Sequence, residues 1–187
     1  YRIPVWLTYG SLCAIQESEP RAAEDAQIRL IDGHAAIPIG DVLVQPYTVP
    51  HDAREPVQFV LSDGARRLGV LTDTGCSTPH IEATLSGCEA LVLETNHDRD
   101  MLMTGGYPPW LKARVAGRFG HLDNRSSAEI LEALDCSRLQ HIIAAHLSQQ
   151  NNTPALALAA LESVLGCEPG WVGLADQELG FGWRELA

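Results

Sequence analysis

Three short apolar segments, each followed at once by polar residues, constrain the fold of this chain more than any other feature. They cover residues 68–72, 90–93 and 142–145. Apolar runs of this length are typical of buried strands, whereas buried helices need about ten residues or more. Segments with helical signals at 126–134 and 154–165 alternate with them in the second half of the chain. A β-rich first half followed by alternating strands and helices predicts one α/β domain with helices covering the sheets.

Local patterns refine this prediction at three points. Pro46 predicts a break in the strand over residues 42–49. Ser126 and Glu129 form a capping-box pattern, which predicts the start of a helix there. Thr153 is followed by proline, so it is expected to cap a second helix, which should end at a glycine near residue 166.

Composition limits what such a domain does. The 187 residues are the length of one domain, and no apolar run approaches the roughly 18 residues that a membrane span needs. The formal net charge of −11 argues against a broad electrostatic surface for nucleic acid. The five cysteines are dispersed and include no CxxC pair. This pattern predicts a reducing compartment and therefore a cytoplasmic location.

The polar segments that follow the apolar runs carry side chains that suit a metal site. They include Asp73, Glu94 and His146, and a fourth predicted strand ends just before His51. Ligands gather at strand ends in α/β proteins, and imidazole with carboxylate suits Zn²⁺, Mn²⁺ or Fe. Structural interpretations stay open, because a histidine after a strand is often a capping or surface residue and Asp-Thr-Gly is often only a turn. His141 and His146 would point to opposite faces of one strand, so only one of them faces a given site.

Five short sequence words are more specific together than the spacing of these residues. They read VPHDAREPV at 49–57, TDTG at 72–75, LETNHD at 93–98, GHLDN at 120–124 and AHLSQQNN at 145–152. The set resembles the metallo-β-lactamase superfamily. It is most similar to the YycJ-type exonuclease branch, which is related to the phosphoribosyl cyclic phosphodiesterases and, more distantly, to ribonuclease Z. The resemblance extends over roughly residues 1–165.

The resemblance implies both a fold and a mechanism. The fold is an αββα sandwich, and the activity is phosphodiester hydrolysis by a hydroxide that bridges two divalent metal ions, with zinc or manganese expected. By resemblance Asp73 bridges the two ions, His51 binds one and His146 binds the other. His121 is expected to donate a proton to the leaving oxygen, so Asp73 and His121 are the expected catalytic residues. The residues expected to orient these groups or to contact substrate are Glu94, Asn96, His97, Asn124, Ser148 and Asn151.

One defining part of the family pattern does not occur in these residues. The HxHxDH motif, which supplies most of the metal ligands in such proteins, is absent from the sequence. The first residue is not methionine, and the chain opens with the pattern of a strand already under way. We therefore expect residues 1–187 to form a single metallo-β-lactamase-like domain that lacks its N-terminal HxHxDH segment and is inactive alone. Such a domain should leave an apolar face or a strand edge uncovered.

Two alternative functions stand beside the phosphodiesterase interpretation. One is another hydrolase of the same fold, such as a thioesterase or a lactonase. The word around His121 favours phosphodiesters, because acyl hydrolysis does not need that histidine. The other is a non-catalytic domain with a decayed site, against which the presence of His51, Asp73 and His146 argues. The expected partner is a phosphodiester substrate, namely DNA, RNA or a cyclic nucleotide-like small molecule, and no membrane is expected.

Overall fold

The computed structural model describes residues 3–21 and 27–187 of the chain. Its strands are β1 (Pro4–Thr8), β2 (Gln27–Ile31), β3 (Ile37–Ile39), β4 (Val42–Thr48), β5 (Val57–Ser62), β6 (Arg67–Leu71), β7 (Ala90–Glu94), β8 (His141–Ala145) and β9 (Gly173–Leu174). Its helices are α1 (Tyr9–Ser18), α2 (Pro79–Leu85), α3 (Arg99–Thr104), α4 (Pro109–Val115), α5 (Asn124–Ala133) and α6 (Pro154–Leu165). Strands and helices alternate from β6 onwards, which confirms the predicted α/β class.

The strands of the described residues form one large mixed sheet and one small sheet. The order in the large sheet is β3-β4-β5-β6-β7-β8-β9. Its pairs are antiparallel from β3 to β6 and parallel from β6 to β9. The small sheet consists of β1 and β2, which pair in parallel. The large sheet is thus mixed, whereas the small one is purely parallel.

The hydrophobic core lies between one face of the large sheet and helices α2, α5 and α6. Leu91 and Leu93 of β7 point into it. Side chains alternate along a strand, so Ala90 and Val92, also in β7, point to the opposite face of the sheet. On that face residues 181–186 cross the sheet and border an apolar cavity of about 370 Å³. The absence of a further N-terminal segment from the domain stays a prediction.

Two local predictions are corrected by the structure and one is confirmed. Pro46 does not break β4, because the pairing with β3 ends at Val44 and Pro46 therefore needs only its other neighbour, β5. The cap of α5 is Asp123 rather than Ser126, since the Asp123 carboxylate accepts the Ser126 N–H at 2.8 Å. Thr153 caps α6 as expected, and the helix ends at a left-handed glycine.

The topology brings the carboxyl ends of four strands to one edge of the large sheet. Strands β6, β7 and β8 are parallel neighbours, so the residues that follow them emerge side by side. Strand β4 ends at the same edge, because β4 and β6 both run antiparallel to β5. The polar segments identified in the sequence therefore meet at this edge, as α/β architecture favours.

Candidate metal centre

The polar side chains at this edge come from five different segments. Asp73 lies just beyond β6, Glu94 is the last residue of β7, and His146 follows β8 directly. His51 arrives three residues after β4, and His121 lies in the connection between α4 and α5. Asp73 and His146 have φ values of 52° and 57°, in the left-handed region that non-glycine residues seldom adopt. Strained backbone of this kind is typical of functional sites at strand ends.

Asp73 lies at the centre of three imidazole rings. Its Oδ1 atom is 3.8 Å from His51 Nε2, 3.8 Å from His121 Nδ1 and 3.7 Å from His146 Nδ1. The ring of His121 lies between the other two, with centroid distances of 5.1 Å to His51 and 5.2 Å to His146. The four side chains thus form one compact group, in which the carboxylate of Asp73 is nearly equidistant from the three histidines.

Glu94 holds two of these rings from behind. Its side chain is fully buried, and Oε1 accepts hydrogen bonds from His121 Nδ1 at 2.7 Å and His146 Nδ1 at 2.9 Å. Its other oxygen accepts the Thr74 N–H at 3.0 Å. Burial raises the pKa of the Glu94 carboxyl, but these three hydrogen bonds outweigh burial and hold the pKa below its ordinary value. The hydrogen bond between Glu94 and His146 raises the pKa of His146, although burial of the ring acts in the opposite direction.

These contacts fix which nitrogen of each ring remains free. An ionised carboxylate only accepts hydrogen bonds, so His121 and His146 carry a proton on Nδ1. His51 Nδ1 lies 3.0 Å from the Gly120 carbonyl oxygen, which also only accepts. In the neutral form of each ring, Nε2 therefore keeps its lone pair. Metal-binding histidines are usually anchored in this way, by a second oxygen that sets the tautomer and the orientation of the ring.

The donors present suit a divalent metal ion. Two ligands that are 2.0–2.2 Å from one tetrahedral ion lie about 3.4 Å apart, and the 3.8 Å between Asp73 Oδ1 and His51 Nε2 is close to this spacing. The largest compact donor group in the described residues is Asp73, Glu94, His121 and His146, whose ligand atoms lie within 4.8 Å of one another. Glu94 is already an acceptor for three donors, so we regard it as the support of the two imidazoles rather than as a ligand.

Asp52 links this centre to helix α4. Its carboxylate accepts a hydrogen bond from Arg114 Nε at 2.5 Å and lies 3.6 Å from His51 Nε2. The Arg114 guanidinium lowers the pKa of Asp52. Neither Asp52 nor Arg114 was singled out in the sequence as a site residue. The available signal was the word around His51, which contains the aspartate, and the run of cations just before His121.

The remaining sequence-predicted residues fall into two groups. Asn96, Ser148 and Asn151 line a cleft beside His121 and His146, and the Asn96 amide donates to the His146 carbonyl at 2.9 Å. Asn124 is buried and exchanges side-chain hydrogen bonds with Asn152, so it joins two loops below the site. His97 is also buried, and its ring nitrogens have no hydrogen-bond partner in the described part of the chain. Burial lowers the pKa of His97, which favours its neutral form.

The fold agrees with comparisons to known proteins. Residues 2–146 match the family described as "Beta-lactamase superfamily domain", and the chain belongs to this superfamily. Its fold is that of the metallo-β-lactamases: the metallo-β-lactamase fold protein YhfI from Bacillus subtilis superimposes with a TM-score of 0.68 at 12% identity, covering 96% of this chain and 64% of YhfI. The resemblance to the family inferred from the five sequence words is thus confirmed.

The curated relatives of this chain carry nuclease names. Exodeoxyribonuclease YycJ of Bacillus anthracis is 36% identical over 126 residues, which is 67% of this chain and 48% of that protein. Exodeoxyribonuclease WalJ of Streptococcus pneumoniae serotype 2 (strain D39) is 31% identical over 118 residues, which is 63% of this chain and 44% of that protein. The chain therefore spans about half the length of the curated relatives it matches. None of the helices described here has the length and hydropathy to cross a membrane.

Proposed function

We propose that this chain carries the catalytic edge of a metal-dependent phosphodiester hydrolase. The observation that supports this proposal is the position of Glu94, which holds His121 and His146 by their Nδ1 atoms beside Asp73. One buried carboxylate thereby orients two rings for different tasks. His146 presents its Nε2 lone pair as a ligand, and His121 presents Nε2 to a substrate atom.

The metal ligands in this proposal are His51, Asp73 and His146. Asp73 Oδ1 lies 3.8 Å from His51 Nε2 and beside the ring of His146, so its carboxylate would hold metal together with either histidine. When bound, two divalent ions would lower the pKa of a water molecule between them and neutralise the charge of a phosphate. We expect zinc or manganese, because imidazole and carboxylate ligands suit both. The Gly120 carbonyl and Glu94 keep the ligand rings from turning.

His121 is the proposed proton donor to the leaving oxygen. The Glu94 carboxylate accepts its Nδ1–H and stabilises the imidazolium, so a proton on Nε2 is available for transfer. A phosphodiester needs this proton, because its leaving group is an alkoxide. The cleft beside His121 contains the side chains of Asn96, Ser148 and Asn151, which could hydrogen-bond phosphate oxygens.

DNA is the substrate class that we propose for the whole protein. The relatives named exodeoxyribonucleases support this choice, with matches that span 48% and 44% of their lengths. The free thiols of all five cysteines support a cytoplasmic location as part of the same proposal.

Separate roles for Asp73 and His121 provide the test. The protein is expressed from its complete reading frame, and metal content is measured beside the hydrolysis of bis(4-nitrophenyl) phosphate and of a dinucleotide. Asp73→Asn, which tolerates the φ of 52°, should lose both metal and activity. His121→Ala should keep its metal and cleave the dinucleotide about 10²–10⁴-fold more slowly. Its defect should be smaller on the nitrophenyl ester, whose leaving group needs little protonation.

A matched control is His34→Ala, which removes an exposed histidine outside the cluster. It should match the unmodified protein in metal content and in both rates. Metal loss in His121→Ala, or equal slowing on the two substrates, would contradict the role given to His121. A protein that binds no Zn²⁺ or Mn²⁺ and hydrolyses neither ester would favour the non-catalytic alternative.

A further inference from the structure

Two clefts flank His121 and share part of their walls. The first, of about 210 Å³, runs towards Arg114 of helix α4. The second, of about 350 Å³, runs towards His146 and the amide side chains of residues 149–151. Tyr107, Val115 and His121 line both clefts. The candidate centre is thus a point along a groove rather than the end of a closed pocket, and one arm of the groove begins beside a cation.

The chain before His121 differs in charge from the rest of the molecule. Residues 101–122 contain Lys112, Arg114 and Arg118 but no Asp or Glu, in a protein of formal net charge −11. Large apolar side chains are exposed in the same segment, with Trp110 67% and Phe119 58% accessible. Single exposed apolar side chains are common on protein surfaces, but these two aromatics stand in a stretch that contains cations and no carboxylate. Cations interspersed with exposed aromatics are the pattern of surfaces that bind a single nucleic-acid strand.

Two hydrogen bonds to Asp52 hold this segment against the candidate centre. Trp110 and Arg114 are four positions apart on α4 and therefore share a face of the helix. Asp52 holds the Arg114 Nε, and the terminal guanidinium nitrogens have no other hydrogen-bond partner among the described residues. The Phe119 carbonyl accepts the Asp52 N–H at 2.9 Å, so the end of the segment is fixed beside His51.

We propose that Tyr107, Trp110, Arg114, Arg118 and Phe119 form a basic-aromatic surface that binds an unpaired DNA strand leading into the groove. This inference deepens the proposed function and rests on it for the identity of the site. The cations would contact backbone phosphates, with the free guanidinium nitrogens of Arg114 nearest the centre. The bases would stack on Trp110 and Phe119, which a duplex could not do because its base faces are covered by neighbouring pairs.

The net charge of −11 does not oppose this assignment. At physiological ionic strength the screening length is about 8 Å, so acidic side chains elsewhere on the molecule act weakly on a phosphate bound at this surface. The cations beside the groove therefore dominate the electrostatic interaction with that phosphate.

Fluorescence anisotropy of labelled (dT)12 tests the proposal in EDTA, where no cleavage takes place. The binding measurement then succeeds or fails independently of the metal content and hydrolysis that test the proposed function. Arg114→Gln with Arg118→Gln should weaken binding about tenfold or more. The double variant should also make the plot of log affinity against log salt concentration shallower, by about 0.7 for each phosphate that the protein no longer neutralises. Trp110→Ala with Phe119→Ala should weaken binding by a similar factor and leave the salt slope unchanged.

Arg66→Gln is the matched control, because Arg66 is a half-buried arginine in the β5–β6 turn that donates to the Ala187 carbonyl, at the opposite end of β6 from Asp73. It should bind (dT)12 as the unmodified protein does. Circular dichroism of each variant excludes unfolding as the cause. Equal affinity for a 12-base-pair duplex, equal affinity for polyglutamate, or the same weakening in Arg66→Gln as in the arginine pair would each overturn the proposal.

Discussion

At the scale of single residues, the candidate centre depends on the carboxylate of Glu94. The sequence predicts that Glu94 orients other groups, but it does not show which side chains it contacts. Glu94 ends a buried strand, and a buried carboxylate must be paired or neutral. The strand pattern predicts that it reaches the same edge as Asp73 and His146. It does not predict that one oxygen atom is shared by His121 and His146, because that depends on where the connection before α5 folds back.

Glu94→Gln is therefore expected to destabilise the fold in a pH-dependent way. The amide cannot accept both Nδ1–H groups and the Thr74 N–H together, so at least one buried donor loses its partner, at a cost of about 1–3 kcal/mol. The folded-state pKa of Glu94 is lowered, so its contribution is complete above the unfolded value near 4.5 and is lost as pH falls through the folded pKa. The measurement is urea unfolding in EDTA at pH 7, 5 and 4.

The difference between the two proteins should thus be larger at pH 5, where Glu94 is ionised and the raised pKa of His146 favours its protonated ring, than at pH 4, where Glu94 takes up a proton. Glu129→Gln, an exposed substitution on α5, serves as the control and should stay within about 0.5 kcal/mol of the unmodified protein. A Glu94→Gln protein as stable as the original at pH 7 would show that the shared hydrogen bonds contribute nothing.

At the scale of elements, the sequence predicts a helix start correctly where neighbouring residues alone determine it. The prediction fails where a tertiary contact selects one of two possible capping residues. Thr153 and its following proline leave one good start for α6, and the prediction is correct. At α5 both Asp123 and Ser126 are competent caps. The structure uses Asp123 because a bridge with His97 fixes its backbone in the extended form that a cap needs. That pairing joins distant parts of the chain and leaves no periodic signal.

The connection between α4 and α5 is the element on which the candidate centre most depends. A Cβ atom on Gly120 would overlap the carbonyl oxygens of Arg114 and Val115, which form the last turn of α4. The Gly120 carbonyl accepts from His51, and the next residue is His121. We expect Gly120→Ala to shift both histidines and to reduce Zn²⁺ affinity at least tenfold, with a fall in stability of about 1–3 kcal/mol.

Gly106→Ala is the matched control, because a Cβ there meets nothing within 4 Å and the backbone is not left-handed. Isothermal titration with Zn²⁺ and urea unfolding of the two variants separate an effect on the site from a general effect of replacing glycine. Zn²⁺ affinity that is equal in both variants would mean that the backbone at Gly120 does not position His51 and His121.

At the scale of the whole molecule, sequence and structure agree on the class and differ in what each determines. The alternation of apolar runs and helices predicts an α/β domain. Because β6, β7 and β8 pair in parallel, the residues that follow these strands meet at one edge of the sheet. No sequence pattern indicates that residues 181–186 lie across the second face of the sheet, because that segment is neither periodic nor part of a strand. Its position follows from the apolar surface it covers rather than from local propensity.

Binding of a metal ion at this edge should also stabilise the whole folded domain. A ligand that binds only the folded state stabilises it by RT ln(1 + [L]/Kd), or about 2.7 kcal/mol at a concentration one hundred times Kd. For a chain of 187 residues this corresponds to a rise in the unfolding temperature of roughly 5–10 °C.

We therefore expect scanning calorimetry to show such a rise with Zn²⁺ or Mn²⁺ and its reversal by EDTA. Ca²⁺, which prefers six to eight oxygen ligands, should have little effect, because two of the three proposed ligands, His51 and His146, are imidazoles. Asp73→Asn should remove the response to Zn²⁺ while keeping the unfolding temperature in EDTA near that of the original protein. An equal response in Asp73→Asn would mean that the ion binds elsewhere, since Asp73 is the only carboxylate that lies within 4 Å of all three histidines in the described residues.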